Sequence, residues 1–257
     1  MVVRKKAEAR GRKRPVLSVV IPAYNEERVI GKSLDEVREF LDDRGLAYEI
    51  IVVSDGSTDR TAEIVGKRSL LCPGIRLIEN ERNMGKGFSV RQGCLAAEGE
   101  IVVFTDADLS YPISEVEKPL ALIRGGKADL AIGSRTARGA MIQADIPPLR
   151  RLMSKVFNLF VRLIAIRGIH DTQCGFKAFS NEAARAIFSR QTMTGFSFDV
   201  ELIFIARKLG FRIVEFPIHW ARSSESSVNP LTDSVKMFID IIRIRLIDLR
   251  GGYGRRR

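Results

Sequence analysis

Residues 101–112 read IVVFTDADLSYP. An apolar run from Ile101 to Phe104 ends at two acids one residue apart, Asp106 and Asp108. A short apolar run closed by a polar turn reads as a buried strand, and this pattern recurs along the chain. Candidate strands at 17–21, 48–54, 75–79, 101–105 and 128–133 alternate with helix-like stretches at 26–43, 58–70, 86–97 and 114–125. In the first helical stretch Val29, Ser33, Leu34, Val37, Phe40 and Leu41 follow a 3.6-residue period, so one face can pack on a sheet. Strands alternating with helices predict an α/β fold with a mostly parallel sheet covered on both faces. Ligands of such sheets bind at the carboxyl ends of the strands.

The segments expected at those ends are PAYNEE (22–27), SDGSTD (54–59), NMGKG (83–87), TDADLS (105–110) and GSRTARG (133–139). Any one of them could be an ordinary turn, with Ser57, Thr58 or Ser114 capping a helix. Turn chemistry explains five polar loops on one sheet edge less well. Asp106 and Asp108 can aim at one small region, where each raises the other's pKa unless a cation sits with them. A divalent ion with hard oxygen ligands relieves that repulsion. The alternative gives Asp108 a capping role and Asp106 a surface ion pair.

The composition narrows the remaining classes. With 257 residues, 45% of them hydrophobic, the chain can build a sizeable core. Cys72, Cys94 and Cys174 are odd in number and far apart, which suggests neither a disulfide framework nor a zinc cluster and fits a reducing, cytoplasmic setting. The net charge of +11 lies wholly in residues 1–14 and 243–257. Basic ends suit solvated tails, nucleic-acid contact or an anionic membrane surface. No apolar segment has the form of a secretory signal, and the most apolar stretch, 156–166, contains Asn158 and Arg162 and is too short to span a bilayer. Aromatic content of 7% and the lack of a nucleic-acid-binding motif weigh against a basic-tailed nucleic-acid-binding protein. The expected organisation is a basic tail (1–14), a catalytic domain (15–230) and an amphipathic helix with a basic tail (231–257).

PAYNEE, DGSTD, NMGKG, DAD and GSR, in this order and at these separations, resemble the family 2 glycosyltransferases of GT-A fold. DTQCGFK (171–177), GFSFDVEL (195–202) and the 217–220 segment resemble the polyprenyl-phosphate branch of that family, and the likeness runs over residues 16–249. The resemblance implies a GT-A, nucleotide-diphospho-sugar transferase fold and an inverting hexosyltransferase that uses Mg²⁺ or Mn²⁺. Its donor would be a nucleotide sugar, with UDP-glucose favoured over GDP-mannose or a UDP-N-acetylhexosamine. Its acceptor would be a polyprenyl or dolichyl phosphate, with a soluble acceptor as the alternative. The enzyme would sit peripherally on the cytoplasmic face of a membrane.

Carried over by residue, the resemblance places Pro22, Tyr24, Asn25 and Glu26 around the nucleotide, Asp55 at the base, and Asn83, Lys86 and Gly87 along the donor. Asp106 and Asp108 would hold the metal and contact the nucleotide. Ser110, where mannosyl relatives often carry Gln, is a third candidate ligand. Asp199 and Glu201 would position the acceptor. Arg135, Arg150, Arg151 and Ser154, with Arg222 as a further cation, would bind its phosphate. The only histidines, His170 and His219, form no metal-like or triad-like arrangement, and solvated or capping roles are expected for them. The apolar stretches 149–166 and 231–249 are candidates for interfacial helices, with core packing as the alternative for part of each.

Overall fold

The computed structural model describes residues 14–143, 156–162, 164–166, 168–221 and 232–254. Strands β1 (Leu17–Ala23), β2 (Tyr48–Ser54), β3 (Ile75–Glu79), β4 (Ile101–Phe104) and β5 (Leu130–Ser134) form where the apolar runs predict them. Helices α1 (Ile30–Asp43), α2 (Thr61–Leu71), α3 (Lys86–Ala96) and α4 (Glu117–Arg124) alternate with them, α4 being entered through a 3₁₀ turn at Ile113–Val116. Then follow β6 (Met141–Ile142), a helix α5 at 156–162, β7 (Lys177–Ser180), α6 (Asn181–Phe188) and α7 (Phe198–Lys208). The chain continues with β8 (Ile213–Pro217), β9 (His219–Trp220) and α8 (Thr232–Leu249).

One sheet runs in the order β3-β2-β1-β4-β7-β5-β8. All neighbours pair in parallel except β7, which lies antiparallel between β4 and β5. This single reversal has a consequence for the site. The carboxyl ends of β1 to β5 share one edge, and the amino end of β7, with the DTQCGF loop before it, arrives at that same edge.

Side chains alternate across the strands, so each face has its own core. Val20, Ile51, Val53, Val102 and Phe104 join a cluster with α3, α5, α6, α7 and α8. Val19, Ile21, Ile50, Val52 and Val103 join the opposite cluster, where Ile30, Leu34, Val37 and Leu41 of α1 are fully buried. Each such side chain contributes about 2 kcal/mol of burial, which is why the 3.6-residue stripe of α1 docks as the sequence predicts.

Helix starts differ locally from expectation, and α2 shows why. Helix α2 begins at Thr61, three residues late, because the Asp59 carboxylate accepts the Thr61 N–H at 2.9 Å. Ser57 and Thr58 are drawn instead toward Asn25. The C-terminal segment also packs on the body: Met237, Ile241 and Ile244 of α8 and Tyr253 beyond it belong to the same core cluster as α7. Cys72, Cys94 and Cys174 are all free.

Candidate active site

Two loops at the ends of β1 and β2 are stitched to each other. Asn25 takes a left-handed conformation (φ 56°), which asparagine tolerates better than most residues. Its N–H donates to Ser57 Oγ at 3.1 Å, and its Oδ1 accepts from Thr58 N at 2.8 Å. The next two N–H groups reach Thr61 Oγ1 at 2.8 Å and Asp59 Oδ2 at 3.0 Å. Tyr24 is left exposed beside them. Pro22, which has no N–H to give a ladder, lies in β1 beyond the last pairing with β4, at Val20 and Phe104.

Asp55 is buried and ties the third loop to the second. Its Oδ1 accepts from Asn80 Nδ2 at 2.7 Å and Met84 N at 2.9 Å, and its Oδ2 accepts from Gly85 N at 2.8 Å. A carboxylate offers about four acceptor directions, so one remains open. Gly56 (φ 66°) must be glycine here, since a Cβ would lie 2.3 Å from the Arg82 backbone. The segment before Asn83 therefore passes directly over the DGS turn.

Lys86, the first residue of α3, donates from Nζ to Asp106 Oδ1 at 2.6 Å. Asp106 is wedged against Gly175 of the DTQCGFK loop, where a Cβ would stand 2.3 Å from Asp106 Oδ2. Asp108 is fixed differently. The turn bends through Leu109 (φ 49°), and Asp108 accepts from Ser110 N at 2.9 Å and Ser110 Oγ at 2.6 Å. Ser110 is thus placed as a support for Asp108.

The site carries excess negative charge. Burial first, then Asp108, Asp106 and Asp59, raise the pKa of Glu26 above the usual carboxylate range, with Lys86 opposing. Burial works against the charge of Lys86 itself, yet Asp106, Asp199 and Asp108 together raise its pKa. Among the described residues no group of three or more His, Cys, Asp or Glu is assembled to hold a metal. Among the described residues, Asp106 and Asp108, the latter backed by Ser110, are the acid pair that follows β4 at this edge. A pair of hard oxygen donors fits an ion that keeps water and substrate oxygens in its shell.

Below this layer lies a second ion pair. Lys177, fully buried, donates to Asp199 Oδ1 and to the Cys174 carbonyl at 2.7 Å, with its ammonium 5.5 Å from the Phe104 ring centroid. Register explains the position: Lys177 pairs with Phe104, two residues before Asp106. Burial raises the pKa of Asp199 although Lys177 and Lys86 oppose it. Glu201, two residues further along α7, turns elsewhere. Its carboxylate is fully buried and accepts from Thr192 N and Oγ1, Met193 N and Tyr253 OH.

Arg135 of the GSR loop grips Asp171 with Nε and Nη2, both at 2.8 Å, and with its backbone N–H at 2.9 Å. Its guanidinium lies 5.1 Å from the Trp220 ring centroid, and Trp220 stacks on buried Tyr111 at 6.5 Å. Burial would raise the Asp171 pKa, but Arg135 outweighs it and the net direction is down. Arg150, Arg151, Ser154 and Arg222 lie outside the described residues. His170 is exposed and meets Glu215 through Nδ1 at 3.0 Å.

Lys177, Gly175, Asp171 and Trp220 lie inside the 171–177 and 217–220 motifs, and the sequence assigns them no individual role. A lysine within an apolar strand was the available signal for the first. The others depend on partners far along the chain.

A mostly parallel sheet whose carboxyl edge gathers these loops, with an acid pair after β4, is the arrangement of a GT-A glycosyltransferase. Solved structures share the fold: glucosyl-3-phosphoglycerate synthase from Mycobacterium tuberculosis, described in complex with Mn²⁺, UDP and glucosyl-3-phosphoglycerate, superposes with a TM-score of 0.66 at 23% identity, over 91% of this chain and 79% of that one. The model of the family described as "Glycosyl transferase family 2" matches residues 18–188, and the chain belongs to that family of glycosyltransferases. A dolichyl-phosphate beta-glucosyltransferase of Trichomonas vaginalis is 38% identical over 236 residues, covering 88% of this chain and 70% of the relative. The human dolichyl-phosphate beta-glucosyltransferase is 34% identical, covering 92% of this chain and 77% of its own length.

Proposed function

We infer that the protein transfers glucose from UDP-glucose to a polyprenyl or dolichyl phosphate, with inversion at the anomeric carbon. The observation that carries this reading is the convergence of Lys86, Asp106, Asp108 and Glu26 at the sheet edge where the 22–27 and 54–59 loops are tied together. Similarity to relatives named for glucose transfer to dolichyl phosphate supports the choice of sugar and acceptor.

In this reading Asp55 uses its open acceptor direction on the base, and the 22–27 loop flanks the nucleoside. Asp106 and Asp108 would hold Mg²⁺ or Mn²⁺, whose Lewis acidity would stabilise negative charge on the diphosphate leaving group. Lys86 adds a fixed positive charge on the same side, and Ser110 keeps Asp108 oriented. The acceptor is a phosphate monoester whose second pKa is about 6, so it is already ionised near neutral pH. No side chain need remove a proton from it. Asp199, paired with Lys177, then serves to shape and charge the floor on the acceptor side. Arg135 commits Nε and Nη2 to Asp171, which leaves Nη1 for an acceptor oxygen, and Arg150, Arg151, Ser154 and Arg222 would complete the phosphate site.

The lipid chain needs an apolar surface nearby. Among the described residues no helix is long and apolar enough to cross a membrane. One face of α8 leaves Ile239, Ile242, Leu246 and Leu249 between 47% and 76% exposed, and α5 leaves Val156 and Leu159 about half exposed. The two helices are joined by Phe160 and Phe238, with ring centroids 4.7 Å apart. Arg243 and Arg245 are exposed along the same helix, and Arg250 is exposed just after it. Apolar burial plus attraction of these arginines to anionic lipid supports peripheral binding at the cytoplasmic face.

The test is a panel of labelled UDP-glucose, GDP-mannose and UDP-N-acetylglucosamine with Mg²⁺ or Mn²⁺ and a polyprenyl phosphate. Label from UDP-glucose should enter the organic phase. Transfer from GDP-mannose alone would overturn the choice of sugar, and transfer only to soluble acceptors would overturn the lipid.

A further inference from the structure

The donor loop is held from beneath by residues 191–195. The Thr194 carbonyl accepts from Gly87 N at 2.7 Å and Phe88 N at 3.3 Å. Gln191 Nε2 donates to the carbonyls of Gly87 and Met193, both at 2.8 Å. The contact is backbone on backbone: a Cβ on Gly85 would stand 2.5 Å from the Thr194 oxygen, and one on Gly87 would stand 2.7 Å from the Met193 oxygen. Lys86 lies between these two glycines. Where residues 191–195 sit therefore decides where Lys86 begins its reach to Asp106.

That segment is fixed in turn from the far end of the chain. Glu201 accepts from Thr192 Oγ1 at 2.6 Å and Met193 N at 2.8 Å, and its further donor is the Tyr253 hydroxyl at 2.7 Å. Tyr253 lies in the turn after α8, is fully buried, and rests its ring 5.8 Å from that of Phe204. Its carbonyl accepts from Arg190 Nε at 3.0 Å. One residue thus holds the 190–193 stretch at two points, through Glu201 and through Arg190.

We propose that Tyr253 is a positioning residue of the donor site, acting through Glu201 and residues 192–194 to set Lys86 against Asp106. This rests on the reading that Lys86 and Asp106 receive the nucleotide sugar. It makes the turn after α8 part of the machinery that binds the donor, although the hydrogen bonds of Tyr253 run to Glu201 and Arg190 and not to the loops at the sheet edge. A buried carboxylate deprived of one donor is held less firmly, and the donors that remain to it, Thr192 N and Oγ1 and Met193 N, lie in the segment that places Thr194.

The experiment uses the full chain with Tyr253→Phe, which keeps the ring packed on Phe204. Titration calorimetry with UDP and Mn²⁺ as probes, and steady-state kinetics varying each substrate, are the readouts. UDP affinity should fall and KM for UDP-glucose should rise about tenfold, with KM for the polyprenyl phosphate unchanged. Glu201→Gln should shift donor affinity in the same direction, and the double variant should bind UDP no worse than Glu201→Gln alone, because both changes act through one carboxylate. A Tyr253→Phe protein that melts at lower temperature but binds UDP like wild type overturns the proposal, as does an equal rise in both KM values. A wild-type protein that binds no nucleotide overturns the underlying reading first, and the role of Tyr253 falls with it.

Discussion

The Lys86 ammonium lies 2.6 Å from the Asp106 carboxylate, so a cation at the start of α3 reaches an acid two residues beyond the end of β4. The pair bridges α3 and the end of β4. Around it Glu26 and Asp108 add negative charge, and Asp199 with Lys177 forms the layer below.

Gly175→Ala tests the wedge against Asp106. The added methyl would stand 2.3 Å from Asp106 Oδ2, and Gly175 has no positive φ, so the backbone accepts alanine while the carboxylate must move. A displacement near 1 Å costs about 100-fold in rate. Turnover should fall by that order, with the melting temperature close to wild type.

Ser110→Ala removes one of two donors to Asp108 and leaves the backbone N–H at 2.9 Å. The expected loss is about fivefold in kcat/KM, in line with roughly 1 kcal/mol for one hydrogen bond. The Mn²⁺ concentration for half-activation should change little. A large rise in that concentration would make Ser110 a ligand instead of a support.

Asp171→Asn tests the tie between the GSR and DTQCGFK loops. Breaking a buried pair by altering one partner costs about 3–5 kcal/mol. The folded-state pKa of Asp171 lies below its ordinary value of 3.8, so the stabilisation is fully present above that value and is lost as pH falls toward the folded pKa. Urea unfolding should therefore show a large gap between wild type and variant at pH 7 that narrows below about pH 4.

Ile242→Glu and Leu246→Glu place charges on the exposed face of α8. Neither side chain is in the core cluster, so stability should change by no more than about 0.5 kcal/mol. Cosedimentation with vesicles containing anionic lipid should drop several-fold in low salt. UDP binding should stay at the wild-type level.

The first five strands were legible because apolar runs of four to seven residues are each closed by Asn-, Asp- or Gly-rich turns. The stripe Val29, Ser33, Leu34, Val37, Phe40 and Leu41 marked α1 in the same way, and its Ser33, Leu34, Val37 and Leu41 are buried. Strand β7 was not legible: it has four residues, begins with a lysine and carries no turn signal of its own. Its reversal is what brings Gly175 and Lys177 to the site. The loops named from the sequence do meet at one edge, but their couplings span long separations, as with Asp171 to Arg135 and Tyr253 to Glu201. A single sequence shows the residues of such pairs without showing that they touch. Ser57 and Thr58 illustrate a smaller case, since cap-like residues were taken by Asn25 across a loop.

The proposed role of the Asp106–Asp108 pair is to serve a metal-assisted transfer of glucose to a lipid phosphate. Its most direct test is Asp108→Asn beside wild type in the organic-phase assay, with labelled UDP-glucose, Mn²⁺ and polyprenyl phosphate. Label should enter the lipid fraction for wild type and fall by about 1,000-fold or more for the variant, which should stay folded. Transfer by Asp108→Asn at the wild-type rate, with or without chelator, would contradict it.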